Sequence, residues 1–326
     1  MAEELLRLER LRVVFPFPRG ELAGVRDVGL VLQGGEAVGV VGESGCGKSL
    51  TALAILGLVP PPGRIAAGEV RLGGRVVNRL SPAELRSIRG REVGMVFQEP
   101  MTSLNPVFTV GYQLAEAITA HRRLSAAEVR RRCIELLGEV GVPAPEARLR
   151  AYPGQLSGGL RQRVMIAISI ACGPRLLVAD EPTTALDVTI QAQIMALLAR
   201  LRRERGMALL LISHDLGLVA QNVDRVLVMY AGYVVEESST HALFDSPLHP
   251  YTRGLMESIP GVKGGGHEHR LRAIPGIVPH PSQVPEGCPF RERCSEAVGE
   301  CALAVPALEE KRHQHRARCI RVVTNV

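Results

Sequence analysis

The glycine-rich segment GESGCGKS, residues 42–49, constrains this chain more than any other feature. It fits the phosphate-loop pattern of Gly, four residues, then Gly-Lys-Ser, which arises by chance on the order of once in a hundred chains of this length. Four more short stretches follow at domain-scale spacing: VFQEP around Gln98, LSGG at 156–159, LLVADEP at 176–182 and ISHD at 212–215. Five such elements in one order make coincidence a poor explanation, and together they predict a nucleotide-binding domain.

Composition fits a globular protein with one large domain and a smaller one. Of 326 residues, 46% are hydrophobic and 22% are charged, which argues against wholesale disorder. Aromatic residues make up 3% and Trp is absent, so little material exists for stacking on single-stranded nucleic acid. The formal charge of +6 is spread along the chain and favours an ordinary solvated surface over a nucleic-acid footprint.

The sequence lacks the features of a secreted or membrane-spanning protein. The first fifteen residues, MAEELLRLERLRVVF, contain no apolar signal-peptide core. The longest apolar run, residues 164–179, is interrupted by Gly173, Pro174 and Arg175 and is too short to span a bilayer. We therefore expect a soluble, cytosolic chain whose membrane role, if any, comes through partners. In that compartment its seven cysteines are expected to be thiols or metal ligands rather than disulfides.

Hydrophobic patterns predict an α/β fold with subdomains. Three β-favouring segments separated by glycine-rich turns predict a small antiparallel sheet: residues 5–14, 24–32 and 68–77. A short apolar strand at 37–41 leads into the phosphate loop, and a helix is expected at 48–58. Residues 100–154 carry helical patterns, chiefly at 110–120 and 126–140.

The later part of the chain alternates strands with helices. The expected elements are strand 176–179, helix 190–205, strand 209–212, helix 216–222 and strand 226–229. Continuous Leu, Val and Ile strands are buried on both faces, which predicts a mostly parallel sheet flanked by helices. The helix that opens at Gly159 belongs to the segment before them.

Composition changes after Val235 and suggests a second domain. Proline and glycine cluster at 260–266 and 275–287, typical of a linker into a separate cysteine-containing tail. We predict an ATPase domain at 1–258, with a helical subdomain at about 100–172, and a C-terminal extension at 259–326. No internal repeat is evident, so the chain is expected to hold one ATPase module.

The phosphate loop has a specific chemical role. Its glycines let backbone N–H groups approach phosphates, and the following helix adds the positive end of its dipole. Lys48 can reach the β- and γ-phosphates and Ser49 can ligate Mg²⁺. The alternative, a glycine-rich turn with a surface lysine, is disfavoured by the buried strand that precedes it.

Two acidic residues and a histidine follow buried strands. Asp180 and Glu181 stand at the carboxyl end of a strand, where ligands of open α/β sheets bind. Asp180 is predicted to hold Mg²⁺ through water, and Glu181 to orient and polarise the attacking water. His214, after the next strand, is predicted to contact the γ-phosphate. The competing interpretations are surface ion pairs for the acids and a structural role for the histidine.

The segment LSGGLRQR separates this chain from other phosphate-loop ATPases. Ser157 and two glycines open a long helix and form a second anion site, or else an ordinary N-cap. With this element in place, residues 5–237 resemble the nucleotide-binding subunits of ATP-binding cassette (ABC) transporters. The position after the two glycines is a departure, because Leu160 stands where many relatives carry Gln.

The resemblance implies further site residues. In that family two such domains form a head-to-tail dimer with ATP between one phosphate loop and the other domain's signature. It implies that Ser157, Gly158 and Gly159 contact the partner's ATP, that Gln98 senses Mg²⁺ and couples to the membrane domains, and that Asp187 lines the dimer interface. Phe15 or Phe17 would stack on adenine. The residues that would contact ATP directly are Gly42, Glu43, Ser44, Gly45, Cys46, Gly47, Lys48, Ser49 and Leu50.

Two longer stretches, QEPMTSLNPVFTVGYQL at 98–114 and HPYTRGLMESIP at 249–260, resemble the ATPases of oligopeptide and dipeptide importers. The segments around 180–195 and 214–232 resemble the first of the two unequal ATPases that such importers use. This implies a second, paralogous ATPase, two permeases, an external binding protein, and a peripheral location on the cytoplasmic face of the membrane. The alternatives are an importer of nickel or another metal chelate, and a soluble ABC ATPase of DNA repair or translation. The latter carry coiled coils or two cassettes, neither of which is evident here.

Four tail cysteines, Cys288, Cys294, Cys301 and Cys319, are separated by five, six and seventeen residues. A Pro-rich tail offers no evident core, so a cross-link is expected. Four Cys are the usual ligands of an iron–sulfur cluster, and some similar importer ATPases bind [4Fe–4S]. Zinc, which prefers ligands two to four residues apart, and free thiols remain alternatives. His313 and His315 could substitute as ligands but are expected to be solvated. The basic run 311–321 is also expected to be solvated, unless it faces anionic lipid. Cys46, Cys133 and Cys172 are expected to be packing residues.

Overall fold

The structure, a computed structural model, describes residues 3–18, 20–99, 103–184, 186–258 and 274–324. The predicted linker at 260–266 lies outside the described residues. By its internal contacts the chain divides into two compact units. The first consists of Met1–Leu5, Gln33–Glu36 and Arg79–Leu210, and the second of Leu6–Leu32, Ala37–Asn78 and Leu211–Val326.

The strands, numbered in chain order, are β1 (Glu4–Phe17), β2 (Gly20–Gln33), β3 (Ala37–Val41), β4 (Arg64–Leu72), β5 (Arg75–Val76), β6 (Val93–Val96), β7 (Leu176–Asp180), β8 (Ala208–Ser213), β9 (Arg225–Tyr230), β10 (Tyr233–Ser239), β11 (Glu309–Arg312) and β12 (His315–Ala317). The α-helices span Lys48–Ile55, Pro82–Ile88, Val110–Thr119, Ala126–Glu139, Pro145–Arg148, Gly158–Ser169, Val188–Arg205, Leu216–Ala220, Thr240–Asp245 and Pro250–Glu257. Single 3₁₀ turns occur at Val77–Arg79, Pro153–Gln155, Arg291–Arg293 and Gly299–Ala302.

The second unit contains the antiparallel sheet that the sequence predicts. Its strand order is β2-β1-β4-β5, with β1 antiparallel to β4 and β4 antiparallel to β5. The aliphatic side chains of β1 are buried, among them Leu6, Leu8 and Leu11. The prediction of an antiparallel β-subdomain is confirmed. The first two strands run longer than the patterns indicated, and the third, expected at 68–77, is divided into β4 and β5 by a turn at Gly73 and Gly74.

A second sheet of this unit has the order β11-β12-β10-β9-β3, followed by the end of β8. β3 pairs with β9 in parallel, and β10 adds to β9 antiparallel. Every residue of β3 is buried, which is why its sequence is an unbroken apolar run. β11 and β12 extend the sheet beyond β10.

The first unit combines a parallel strand pair with a group of helices. β6 and β7 are parallel and buried throughout, and the start of β8 continues their sheet. The helices Val110–Thr119 and Ala126–Glu139 bury Leu114, Ile118, Leu136 and Leu137, so the predicted helical segment is confirmed. Ser125 and Glu128 form a capping box that begins the second helix.

The structure departs from the predictions mainly in short elements. The helix expected at 48–58 ends at Ile55, because Gly57 adopts a positive φ of 62°. Elements missed by the sequence patterns include β6, β10 and the helix Pro250–Glu257. Among the described residues, no helix is both long and apolar enough to cross a bilayer.

The expectation of solvation holds for Arg312, His313, Arg316 and Arg321, which are exposed, but it is wrong for three other residues of the run 311–321. Lys311, His315 and Arg318 are all buried. Their segment forms β11 and β12, whose pairing with β10 turns alternate side chains inward. Arg318 donates to the carbonyl of Val234 over 2.9 Å and lies over the ring of Tyr233. Sheet pairing provides the core that the tail sequence by itself lacks.

Candidate functional site

The phosphate loop follows β3 in the second unit and is shaped by backbone crowding. Gly42 has a φ of 150°, and a Cβ added to it would lie 2.2 Å from the carbonyl oxygen of Met229 on β9. No residue with a side chain fits there without displacing β9. Residues 42–47 therefore turn closely past the neighbouring strand before the helix Lys48–Ile55 begins.

Lys48 is buried and its ammonium group lies against the loop's own backbone. Nζ donates to the carbonyls of Gly42 over 2.8 Å and Glu43 over 3.0 Å. Thr51 anchors the helix by donating from its amide and its hydroxyl to the carbonyl of Gly47, both over 2.9 Å. Cys46 is fully buried, and Cys133 and Cys172 are nearly so. Their burial agrees with the prediction that these three cysteines are packing residues.

Glu43 is held by two residues from the C-terminal part of the second unit. Arg293 donates to both of its carboxylate oxygens, over 2.7 and 3.0 Å. The backbone N–H of Glu43 donates to the hydroxyl oxygen of Tyr251 over 2.9 Å. The second residue of the phosphate loop is thus fixed at both its side chain and its backbone.

His214 directly follows β8, the neighbour of β3 in the sheet of the second unit. Its side chain is exposed, whereas Ser213 before it is buried. The hydroxyl oxygen of Ser213 accepts from the amide of Asp215, and the Asp215 carboxylate caps the next helix at Leu218. The turn is therefore rigid on both sides of the histidine.

The two aromatic candidates for adenine stacking differ in packing. The ring of Phe15 fills the space beside Gly63, where an added Cβ would lie 2.4 Å from Cε1 of Phe15. Phe17, the last residue of β1, is 44% exposed. Of the two rings, that of Phe17 has the larger free face.

In the first unit, β7 delivers the predicted pair of carboxylates. Asp180 is its last residue and is buried, and Glu181 follows with a positive φ of 45°, unusual for a residue with a side chain. Two donors converge on Oε2 of Glu181: Nε2 of Gln98 over 3.0 Å and the hydroxyl of Thr184 over 2.9 Å. The structure thus brings the side chains of Gln98 and Glu181 together.

The segment LSGG at 156–159, in the first unit, begins the helix Gly158–Ser169 close to the start of the helix Val188–Arg205. Ser157 caps the helix Gly158–Ser169 by accepting from the amide of Leu160 over 3.4 Å, so the N-cap interpretation is observed. A Cβ added to Gly159 would lie 2.9 Å from Cγ2 of Ile190, in the first turn of Val188–Arg205. Asp187 caps that second helix through Ile190. Glycine at 159 therefore permits these two helix starts to approach each other.

The four tail cysteines of the second unit line one cavity, together with His249 and Phe290. Three of them are buried, and the amide of Cys288 donates to the carbonyl of Cys301 over 2.7 Å. Burial, with a smaller contribution from the neighbouring cysteines, raises the pKa of Cys288 to about 11. The cavity measures about 10 Å³, close to the space of a single water.

The donor set of four thiols suits an iron–sulfur cluster. Among the residues that the structure describes, no three His, Cys, Asp or Glu side chains come close enough to bind one metal ion. This geometry offers no support for a zinc site.

A buried polar cluster attaches the C-terminal strands to β10. Glu236 accepts from the amides of Leu248 and His249 over 2.7 and 2.8 Å, and its Oε1 lies 2.7 Å from Nε2 of His315. The side chain of Glu236 is 0% exposed. Burial lowers the pKa of His249 to about 4, so this histidine is neutral at physiological pH.

Comparison with known proteins matches both parts of the chain. Residues 25–184 match the family described as ABC transporter, and residues 235–301 match the oligopeptide/dipeptide transporter C-terminal region. The chain is 47% identical over 315 residues to the dipeptide transport ATP-binding protein DppD of Escherichia coli, covering 97% of this chain and 96% of that protein. The chain belongs to the ATP-binding proteins of the ABC transporter family.

Other members of the family extend the comparison. The oligopeptide transport ATP-binding protein OppD of Salmonella typhimurium is 46% identical over 305 residues, covering 94% of this chain and 90% of that protein. Among solved structures, the ATP-binding cassette MJ0796 in a dimeric post-hydrolysis state bound to ADP and Pi is 31% identical, with a TM-score of 0.65 over 72% of this chain and 99% of that one. The ABC ATPase fold predicted from the sequence is confirmed.

Sequence reasoning missed three residues that contact candidate site residues. Thr184 donates to Glu181, and Tyr251 and Arg293 hold Glu43. Tyr251 lies in the stretch 249–260, which the sequence marked only by its family resemblance. Arg293 lies between Cys288 and Cys294, where only the spacing of the cysteines drew attention. No local pattern marks either as a neighbour of the phosphate loop.

Proposed function

We propose that this chain is the ATP-hydrolysing subunit that energises import of dipeptides or oligopeptides through a membrane ABC transporter. The observation that carries the proposal is the near-full-length similarity to DppD, together with the match of residues 235–301 to the oligopeptide/dipeptide transporter C-terminal region. The alignment at 47% identity covers 97% of this chain, so it includes the C-terminal tail as well as the ATPase core. Both parts therefore support a role in peptide transport.

Residues 42–50 bind the polyphosphate of ATP in this proposal. The Lys48 ammonium, held over the loop by the carbonyls of Gly42 and Glu43, moves to the β- and γ-phosphate oxygens. Ser49, Asp180 and Gln98 are the proposed Mg²⁺ ligands, because each would supply an oxygen donor, the hard ligand that this ion prefers. Phe17 is preferred over Phe15 for stacking on adenine because its ring is the more exposed.

Hydrolysis depends on Glu181 in this proposal. Its carboxylate accepts a hydrogen bond from the attacking water, which increases the charge on the water oxygen as it approaches the γ-phosphorus. Gln98 and Thr184 both donate to Oε2 of Glu181 and so orient its carboxylate. His214 stabilises charge that develops on the γ-phosphate oxygens.

The complete enzyme is a pair of ATPases. We infer that Ser157, Gly158 and Gly159 contact the nucleotide of a second, paralogous ATPase subunit and that Asp187 lies at that interface. The start of the helix Gly158–Ser169 supports this, because free N–H groups at a helix start favour anions. Two permeases and an external binding protein complete the complex, and the chain is peripheral on the cytoplasmic face of the membrane.

The division into an ATPase domain at 1–258, with a helical subdomain at about 100–172, and a C-terminal extension at 259–326 stays a proposal. The strands β11 and β12 of that extension pair into the sheet of β10. The four cysteines of the extension are proposed to hold a [4Fe–4S] cluster, which would cross-link the tail. Their shared cavity and all-thiol donor set support this assignment.

Reconstitution tests the proposal. The full chain is co-purified with its paralogous ATPase and permeases, placed in proteoliposomes with the binding protein, and supplied with ATP and a labelled dipeptide. We expect uptake that requires ATP and stops when Glu181 is changed to Gln. Uptake of a nickel chelate in place of peptide would overturn the substrate assignment, and absence of ATP binding would overturn the whole proposal.

A further inference from the structure

The C-terminal region of the second unit reaches the phosphate loop through one ion pair. Arg293 stands directly before Cys294, and Glu43 is the second residue of the loop. Nη1 and Nη2 of Arg293 donate separately to the two carboxylate oxygens of Glu43, over 2.7 and 3.0 Å. Such a bidentate contact fixes the orientation of the two side chains as well as their distance.

The ion pair is sheltered from water and therefore is stronger than a surface pair. The side chain of Arg293 is 6% exposed and that of Glu43 is 30% exposed. The Arg293 guanidinium also lies 5.7 Å from the ring centroid of Tyr230. An exposed ion pair would contribute little, whereas one this buried is costly to break from either side.

An aromatic cluster fixes the segment that carries Arg293. Phe290 contacts Tyr230 and Tyr251 with ring centroids 5.2 and 5.3 Å apart, and those two tyrosines meet at 4.7 Å. Tyr251 is fully buried, and its hydroxyl accepts from the backbone N–H of Glu43. The same cluster thus holds the segment of Arg293 in place and engages one backbone amide of the loop.

We propose that Arg293 and Tyr251 are positioning residues of the phosphate loop and act through Glu43, so that nucleotide affinity depends on the C-terminal region. The inference rests on the proposed ATPase function. Arg293 compensates a carboxylate that would otherwise repel polyphosphate, and Tyr251 sets the backbone direction of Glu43. Neither residue touches the nucleotide.

The test measures nucleotide binding by the full-length chain and steady-state hydrolysis by the reconstituted complex. Arg293→Ala should weaken ATP and ADP binding and raise KM by about ten-fold, with kcat changed by less than about two-fold, because the loop is altered and Glu181 is not. Tyr251→Phe, which keeps the ring packing, should weaken binding by about three-fold. It carries the same test if Arg293→Ala does not fold.

A double-mutant cycle separates positioning from general stability. In a Glu43→Gln background, Arg293→Ala should weaken binding by less than about two-fold, because no carboxylate remains to be compensated. Equal effects of Arg293→Ala in both backgrounds would overturn the proposal. So would nucleotide affinity unchanged in both Arg293→Ala and Tyr251→Phe.

Arg253→Ala is the matched control. Arg253 pairs with Glu296 over 2.8 Å and so ties the helix Pro250–Glu257 to the same cysteine segment without touching the loop. Its removal should leave nucleotide affinity unchanged, and an effect equal to that of Arg293→Ala would show that tail stability alone matters, which contradicts the inference. If the unmodified chain does not bind nucleotide, the proposed function fails first. If it binds and the Arg293 and Tyr251 variants match it, only this inference fails.

Discussion

The side-chain amide of Gln98 donates a hydrogen bond to Oε2 of Glu181 over 3.0 Å, and so joins residues 83 positions apart in the sequence. The hydroxyl of Thr184 donates to the same oxygen over 2.9 Å. Glu181 is held in a backbone conformation with a φ of 45°, which side-chain-bearing residues seldom adopt. The unusual backbone conformation and the two hydrogen bonds together fix the direction of the Glu181 carboxylate.

Changing Glu181 to Gln should leave nucleotide binding within about three-fold and lower kcat by at least about 100-fold, since an amide oxygen is a poor base. Phosphate release and equilibrium binding of ATP measure the two quantities. Thr184→Val removes only one supporting donor and should lower kcat by no more than about five-fold. Near-normal turnover of Glu181→Gln would show that another group activates the water.

Changing Glu236 to Ala should lower the free energy of unfolding by about 3 kcal/mol or more. The change leaves the amides of Leu248 and His249 and the ring of His315 without their buried partner. Urea unfolding of the full chain measures the loss. Glu310→Ala on neighbouring β11 removes one exposed hydrogen bond, to the amide of Gln314, and should cost less than about 1 kcal/mol. Similar losses for both variants would contradict the importance of the buried cluster.

Stability should fall as the pH is lowered from about 6.5 towards 4. Burial lowers the pKa of His249 to about 4, while the unfolded chain titrates near the ordinary histidine value of about 6.5. Between these values the unfolded state binds more protons, so acid favours unfolding, by about 3 kcal/mol over the full window. Unfolding curves at a series of pH values measure this slope.

The control for this pH dependence is His249→Asn. His249 begins the helix Pro250–Glu257 by accepting from the amide of Tyr251 through Nδ1. Asparagine is a good N-cap and does not titrate, so the variant should keep the helix and flatten the slope. A slope as steep in the variant as in the unmodified protein would assign the effect to other groups.

Protein purified without oxygen should be brown and contain four iron atoms per chain if the four tail cysteines hold a [4Fe–4S] cluster. Cys294→Ser should lose most of the iron, because it removes one of the thiolate ligands. Cys133→Ser, which changes a buried cysteine of the first unit, should retain it. Iron analysis and visible absorption give the answer, and one zinc per chain in place of iron would refute the cluster.

Much of the fold follows from local sequence. The apolar run 37–41 is β3 with the bounds that the pattern indicates, and the helices beginning at Val110 and Ala126 start directly after Thr109 and Ser125, which cap them. Burial on both faces, helical periodicity and cap chemistry each act over a few residues, so the sequence displays them. The C-terminal strands could not be predicted in this way, because EEKR and HRA are charged segments stabilised only by pairing with β10.

The candidate site likewise contains residues that the local sequence marks and contacts that only the tertiary structure creates. The sequence alone identified the phosphate loop, the carboxylates after β7 and the four tail cysteines, because each consists of residue types whose chemistry shows in their spacing. Only the tertiary structure joined Arg293 to Glu43 across 250 positions, Gln98 to Glu181, and Glu236 to His315. Such pairs depend on which strands become neighbours, and that is set by burial of the whole core rather than by any short segment.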